Sequence, residues 1–200
     1  MVNLDFMQPD KLLYPALFHD GEAYFLERSD IHTGSYFGGP TEDAITGIKH
    51  GPRKIHHIAT LNGHCFKPLW DVIGAFELKL LYGMCYSGCH MKYRTSVPVV
   101  EVLEMTPKVS DASWPYSDYP TYLPYFPLRL QQSSKCTLEK FLKLSCQQIN
   151  VAEHEVLVLI PPIPVLGMSL WGPSGDGENT QIVFRCDLTK QTVEAYNQCG

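Results

Sequence analysis

The sequence predicts an α+β protein, built mainly from antiparallel or mixed sheet with a few short helices. Three observations carry that expectation. Short runs rich in Val, Leu, Ile, Tyr and Phe recur along the chain, bounded by Gly, Pro, Asn and Asp as strands are. Segments with apolar residues three or four apart are few and short. The strands do not alternate with helices as βαβ units would, which argues against a doubly wound parallel sheet. At 200 residues, with 44% hydrophobic and 18% charged residues, the chain is expected to fold as one globular domain over residues 1–200, not to be disordered.

Taken in order, Glu22 to Arg28 reads as a strand entered from the turn pair Asp20-Gly21. Ser35 to Pro40, and the polar stretch to Pro52, read as loop, with one short helical turn starting at Thr41 to Ala44. Ile55 to Asn62 is apolar and partly β-branched, hence a strand. Lys67 to Phe76 carries Leu69, Trp70, Ile73 and Phe76 at helical spacing, which predicts a short amphipathic helix. Leu78 to Tyr82 and Met91 to Arg94 look like strands joined by a turn around Ser87-Gly88, and Val97 to Met105 like another. Ser113 to Pro127 interleaves four prolines with six aromatics, which forbids a helix and predicts an ordered, aromatic-packed loop. A strand over Leu128 to Gln132 follows it. Thr137 opens a helix reaching to about Ile149, with Leu138, Phe141 and Leu142 on one face. Val156 to Ile160 and Gln181 to Cys186 are strands, and Asp187 is read as the cap of a C-terminal helix ending at Cys199.

Charge narrows the function. Sixteen Lys and Arg stand against 21 Asp and Glu, a formal net charge of -5, without a basic cluster. Binding to nucleic acid needs such a cluster, so it is not expected. The longest apolar run, Val156 to Leu170, is broken by Pro161, Pro162, Pro164 and Gly167 and falls short of a bilayer span, so no membrane partner is expected. The first residues carry an early acid and no basic or apolar signal region, and the seven cysteines are irregularly spaced. Both point to a cytoplasmic chain with reduced thiols.

Few residue constellations could carry chemistry. His56, His57, His64, Cys85, Cys89 and His90 are the candidate metal ligands, because zinc takes Cys sulfur and His nitrogen from closely spaced pairs. The Cys-x3-Cys-His spacing is not a standard knuckle. The alternative is a hairpin with core cysteines and histidines on polar faces, and no cofactor is expected. Gly83 to Ser87 and Gly167 to Gly172 each miss the nucleophile-elbow pattern. Gly172 to Gly177 lacks the lysine of a phosphate loop and places Asp176 and Glu178 where phosphate would be repelled, so a tight turn explains its glycines better. Asp111, Tyr116, Asp118, Tyr119 and Tyr122, by contrast, combine acids and aromatics in one window, as protein interfaces do. The competing reading buries those tyrosines over the fold's own core.

Several pieces of the chain resemble the bacterial YwqG-like family: Phe37-Gly38-Gly39-Pro40, Trp114-Pro115, Pro127-Leu128-Arg129-Leu130-Gln131, Trp171-Gly172-Pro173-Ser174-Gly175, Asp187-Leu188 and Gln198-Cys199. Gly38-Gly39-Pro40 lacks the family's intervening residue, and Pro173 stands where an acid is usual. The resemblance implies an α+β fold and no catalytic residues, and by analogy a role in neutralising toxins. The expected function is therefore a non-enzymatic, protein-binding module, of the immunity type that neutralises a bacterial toxin, with a basic protein as partner. The alternative is a metal- or cysteine-dependent enzyme acting on a small substrate.

Overall fold

The computed structural model describes residues 12–47, 55–63, 77–84, 88–96, 98–106, 120–144, 149, 152, 154–162 and 181–198. Among them run twelve strands: β1 (Ala16–His19), β2 (Glu22–Arg28), β3 (Tyr36–Phe37), β4 (Ala44–Gly47), β5 (Ile55–Asn62), β6 (Glu77–Gly83), β7 (His90–Ser96), β8 (Val99–Thr106), β9 (Phe126–Lys135), β10 (Glu155–Ile160), β11 (Gln181–Asp187) and β12 (Thr192–Gln198). One helix among the described residues, α1 (Leu138–Leu142), follows β9. The strands form a single sheet in the order β4-β8-β7-β12-β11-β10-β1-β2-β9-β3-β5-β6. Every neighbouring pair is antiparallel except β4 and β8. Among the described residues the fold is essentially all-β, which corrects the expected α+β class.

The correction has a local physical cause. Asp187 does accept a hydrogen bond from a following amide, Lys190 N at 3.0 Å, but it closes a turn and not a helix. Gln191 sits at φ 54, a left-handed conformation that ends the turn, and β12 begins at the next residue. In β12, Val193 and Ala195 point inward opposite Cys186 and Phe184, whereas Glu194 and Tyr196 face the other side opposite Arg185 and Val183. That period of two is a strand signal.

Other expectations also shift. Thr41 to Ala44 start no helical turn: the Asp43 amide bonds Thr41 Oγ1 at 3.2 Å, and Ala44 N donates to Pro98 O at 3.1 Å, opening β4. Within the expected loop, Tyr36 and Phe37 form β3 between β5 and β9. β6 pairs with β5 and not with β7, which lies between β8 and β12. The strands β2 and β5 have the expected bounds, and Asp20 (φ 45) with Gly21 (φ 73) makes the two-residue turn into β2. Thr137 caps α1 by accepting from Lys140 N at 3.3 Å. The expected helix over Lys67 to Phe76 and the turn at Gly172 to Gly177 lie outside the described residues.

The core has two parts because the middle of the sheet is buried on both faces. On one, Ala16, Phe18, Ala23, Phe25, Leu157, Leu159 and Val183 pack under Phe141 of α1. On the other, Leu17, Tyr24, Val158, Phe184 and Cys186 meet Leu78, Leu80 and Tyr82 of β6 and Tyr93 of β7. The ends of the sheet therefore curl toward one another, and β6 touches both β7 and β12. Tyr93 fastens this closure, its hydroxyl accepting from Leu81 N at 2.8 Å and donating to Lys79 O at 3.0 Å. An ion pair between Lys79 of β6 and Asp43, just before β4, joins the two outermost strands.

Candidate functional site

The start of β9 concentrates the features that point to function. Phe126 is buried there, stacked on Phe37 at 5.0 Å between ring centroids and met edge-on by Tyr14 at 6.1 Å. Immediately before it, Leu123 is buried while Tyr122 and Tyr125 are 57% and 49% exposed. The chain thus anchors Leu123 and Phe126 and turns two tyrosine rings to solvent. Prolines 120, 124 and 127 make this possible, because each restricts its own φ and pushes its predecessor toward extended backbone.

Gly38 and Gly39, at φ 63 and 76, form the seat under this segment. Gly38 N donates to Ile58 O and Gly39 N to Leu123 O, both at 2.8 Å. A Cβ at Gly38 would overlap the Pro124 carbonyl oxygen, so the close approach of the two backbones requires glycine. Tyr125 lies beside Tyr36, with ring centroids 5.4 Å apart.

The two histidines of β5 hold the seat from below. His56 Nε2 donates to Pro120 O at 3.1 Å, and His57 Nδ1 to Gly38 O at 2.8 Å. Between His57 and Ala59 the pairing with β6 shifts by one residue. Residues three apart on a regular strand face opposite sides, and this bulge brings His57 to the side of Thr60. Since a carbonyl only accepts, Nδ1 carries the proton and Nε2 accepts from Thr60 Oγ1 at 2.8 Å. Burial pushes the His57 imidazole below its ordinary 6.5; the hydrogen bond to Gly38 works against that, and the Lys79 charge adds to it. A hydroxyl on an imidazole nitrogen is the arrangement that activates a nucleophile. Here Thr60 is fully buried and His57 nearly so, and the pair positions backbone.

The remaining candidates for metal binding are not brought together. His56 and His57 serve the carbonyls just described. Cys89 is buried, and its amide donates to Tyr82 Oη at 2.8 Å. The His90 side chain is partly exposed and meets Glu194 at 2.8 Å, in a row of charges that continues through Arg185 to Glu155. His64 and Cys85 lie outside the described residues. Among the described residues, no group of three or more His, Cys, Asp or Glu side chains could hold a metal ion. The same residues contain no helix long and apolar enough to cross a membrane.

Of the residues expected to bind, Tyr122 is exposed, while Asp111, Tyr116, Asp118 and Tyr119 lie outside the described residues. Sequence reasoning missed Tyr125 as a surface group and the two histidines as fasteners. The alternation in Tyr122-Leu123-Pro124-Tyr125-Phe126 was the available signal. Comparison with protein-family models, curated proteins and solved structures finds no match for the chain.

Proposed function

We propose that the protein is a non-enzymatic binding module whose working surface is the segment Pro120 to Tyr125. The observation that carries this reading is the exposure of Tyr122 and Tyr125 on a backbone held by Gly39, His56 and the buried Leu123. Tyrosine brings large contact area with few rotatable bonds. A fixed backbone removes much of the ordering cost that a loop would otherwise meet on binding. An enzyme reading has less support, because the hydroxyl–imidazole pair of Thr60 and His57 is buried.

The net charge of -5 favours a basic partner through electrostatic steering. A basic toxin that the protein neutralises fits this reading, as does the resemblance to the YwqG-like family. The experiment is retention of partners from the native host by immobilised wild-type protein and by a Tyr122→Ala, Tyr125→Ala variant, read by mass spectrometry. A basic protein held in stoichiometric amount by the wild type and lost by an equally stable variant supports the proposal. Equal retention by both excludes this segment.

A further inference from the structure

We infer that the same end of the sheet takes a basic, apolar-containing segment of another protein, along a surface that runs from Tyr122 and Tyr125 to Ile31 and Leu13. The inference rests on the binding role proposed above and adds the chemistry of the occupant. Leu13, Ile31, Tyr122 and Tyr125 are the large hydrophobic side chains exposed among the described residues. They come from three separate stretches of chain, and all attach near Phe126 and Pro127. Leu13 precedes Tyr14, whose ring meets Phe126. Ile31 N bonds Ser29 Oγ at 3.2 Å, and Ser29 N bonds Pro127 O at 2.9 Å. Ile31 is 72% exposed, more than either tyrosine. Single exposed apolar residues are ordinary, whereas their gathering at one end of a fold marks an interaction surface.

Charge selects the occupant. Among the described residues, three cations near this end are engaged: Arg28 lies over the Phe126 ring at 5.7 Å, Arg129 pairs with Glu27 at 2.7 Å, and Lys79 pairs with Asp43. Asp30, next to Ile31, and Glu42, three residues beyond Gly39, are exposed. Among the described residues neither forms an ion pair. A partner segment bearing Arg or Lys would meet those carboxylates and could lay its cations over the tyrosine faces, while its apolar side chains cover Ile31 and Leu13. An acidic segment would meet repulsion from both acids.

The test is selection of a phage library of random peptides on the immobilised full chain, with counter-selection on an Ile31→Ser, Tyr122→Ser variant. Enrichment of peptides combining Arg or Lys with apolar residues is expected. Fluorescence anisotropy on an enriched peptide should then show affinity about fivefold lower for an Asp30→Asn, Glu42→Gln variant, the difference shrinking as salt rises. Enriched peptides that are neutral or acidic, yet lost on the serine variant, would overturn the basic occupant and leave the binding surface standing. Enrichment that survives on the serine variant, or no enrichment, would overturn the inference itself; the host-partner experiment then decides separately whether Pro120 to Tyr125 binds anything.

Discussion

Tyr82 and Tyr93, on β6 and β7, and Tyr122 and Tyr125, ahead of β9, use one side chain in two opposite ways. The first pair is fully buried, and its hydroxyls do the work of missing sheet hydrogen bonds. Tyr93 bridges the backbone of β6, and Tyr82 Oη reaches Asn197 of β12 at 3.0 Å. Burial accordingly pushes the Tyr93 phenol well above its ordinary 10.0. The second pair has its backbone held and its rings about half exposed. A tyrosine interior to a fold needs a partner for its hydroxyl, whereas one at a surface offers ring and hydroxyl to whatever arrives. The contrast separates the tyrosines that close the sheet from those of the proposed binding surface.

Removing the interior pair should have the largest effect. Tyr93→Ala empties a closely packed site between the two ends of the sheet and is expected to destabilise by about 3–5 kcal/mol in denaturant unfolding. Tyr93→Phe keeps the ring and leaves Leu81 N without its acceptor, at an expected cost of about 1–3 kcal/mol. A Phe variant as stable as wild type would mean that the hydroxyl does not fasten the closure.

Gly38→Ala comes next. Its Cβ cannot share space with the Pro124 carbonyl, and φ 63 is already unfavourable for alanine. A loss of about 1–3 kcal/mol is expected, together with weaker binding, because the seat under the tyrosines must move. Wild-type stability and wild-type binding in this variant would show that the two backbones can part at no cost.

A smaller effect concerns pH. Folded His57 titrates below 6.5, so between that value and its lower folded one the unfolded chain holds more protons. Stability is therefore complete above about pH 6.5 and falls as the pH drops below it. In His57→Gln the melting temperature should fall less between pH 7 and pH 5, for which thermal scans at half-unit steps suffice. An unchanged slope would remove His57 as the cause.

How much of this could be read in the sequence depends on what each residue answers to. β2, β5 and β10 were legible because burial on one or both faces imposes apolar composition on a short run, and turn residues bound it. β12 was not, because Thr192 to Gln198 mixes strand and helix formers, and its period of two appears only once Cys186 and Phe184 lie opposite. β3 and β4 are too short for any period to show, and their pairing with β9 and β8 joins residues far apart in the chain. Within the candidate site, Tyr122 was visible as part of an aromatic-proline segment, and the choice between core and surface for each tyrosine was not. That choice is made by Gly38, Gly39 and His56, which belong to other strands or loops and reach the segment only in the folded state. Adjacent histidines look like metal ligands in sequence, and the carbonyls that occupy them are invisible there.

The smallest expected change in stability accompanies the largest expected change in binding, and measuring both on one variant tests the central claim. Tyr122→Ala with Tyr125→Ala should shift the unfolding free energy by no more than about 1 kcal/mol, since both rings are exposed. The same protein should lose about 2 kcal/mol or more of affinity for the partner that the wild type retains, read by calorimetry. A variant that unfolds as readily as Tyr93→Ala, or that keeps wild-type affinity, would contradict the assignment of this segment as the binding surface.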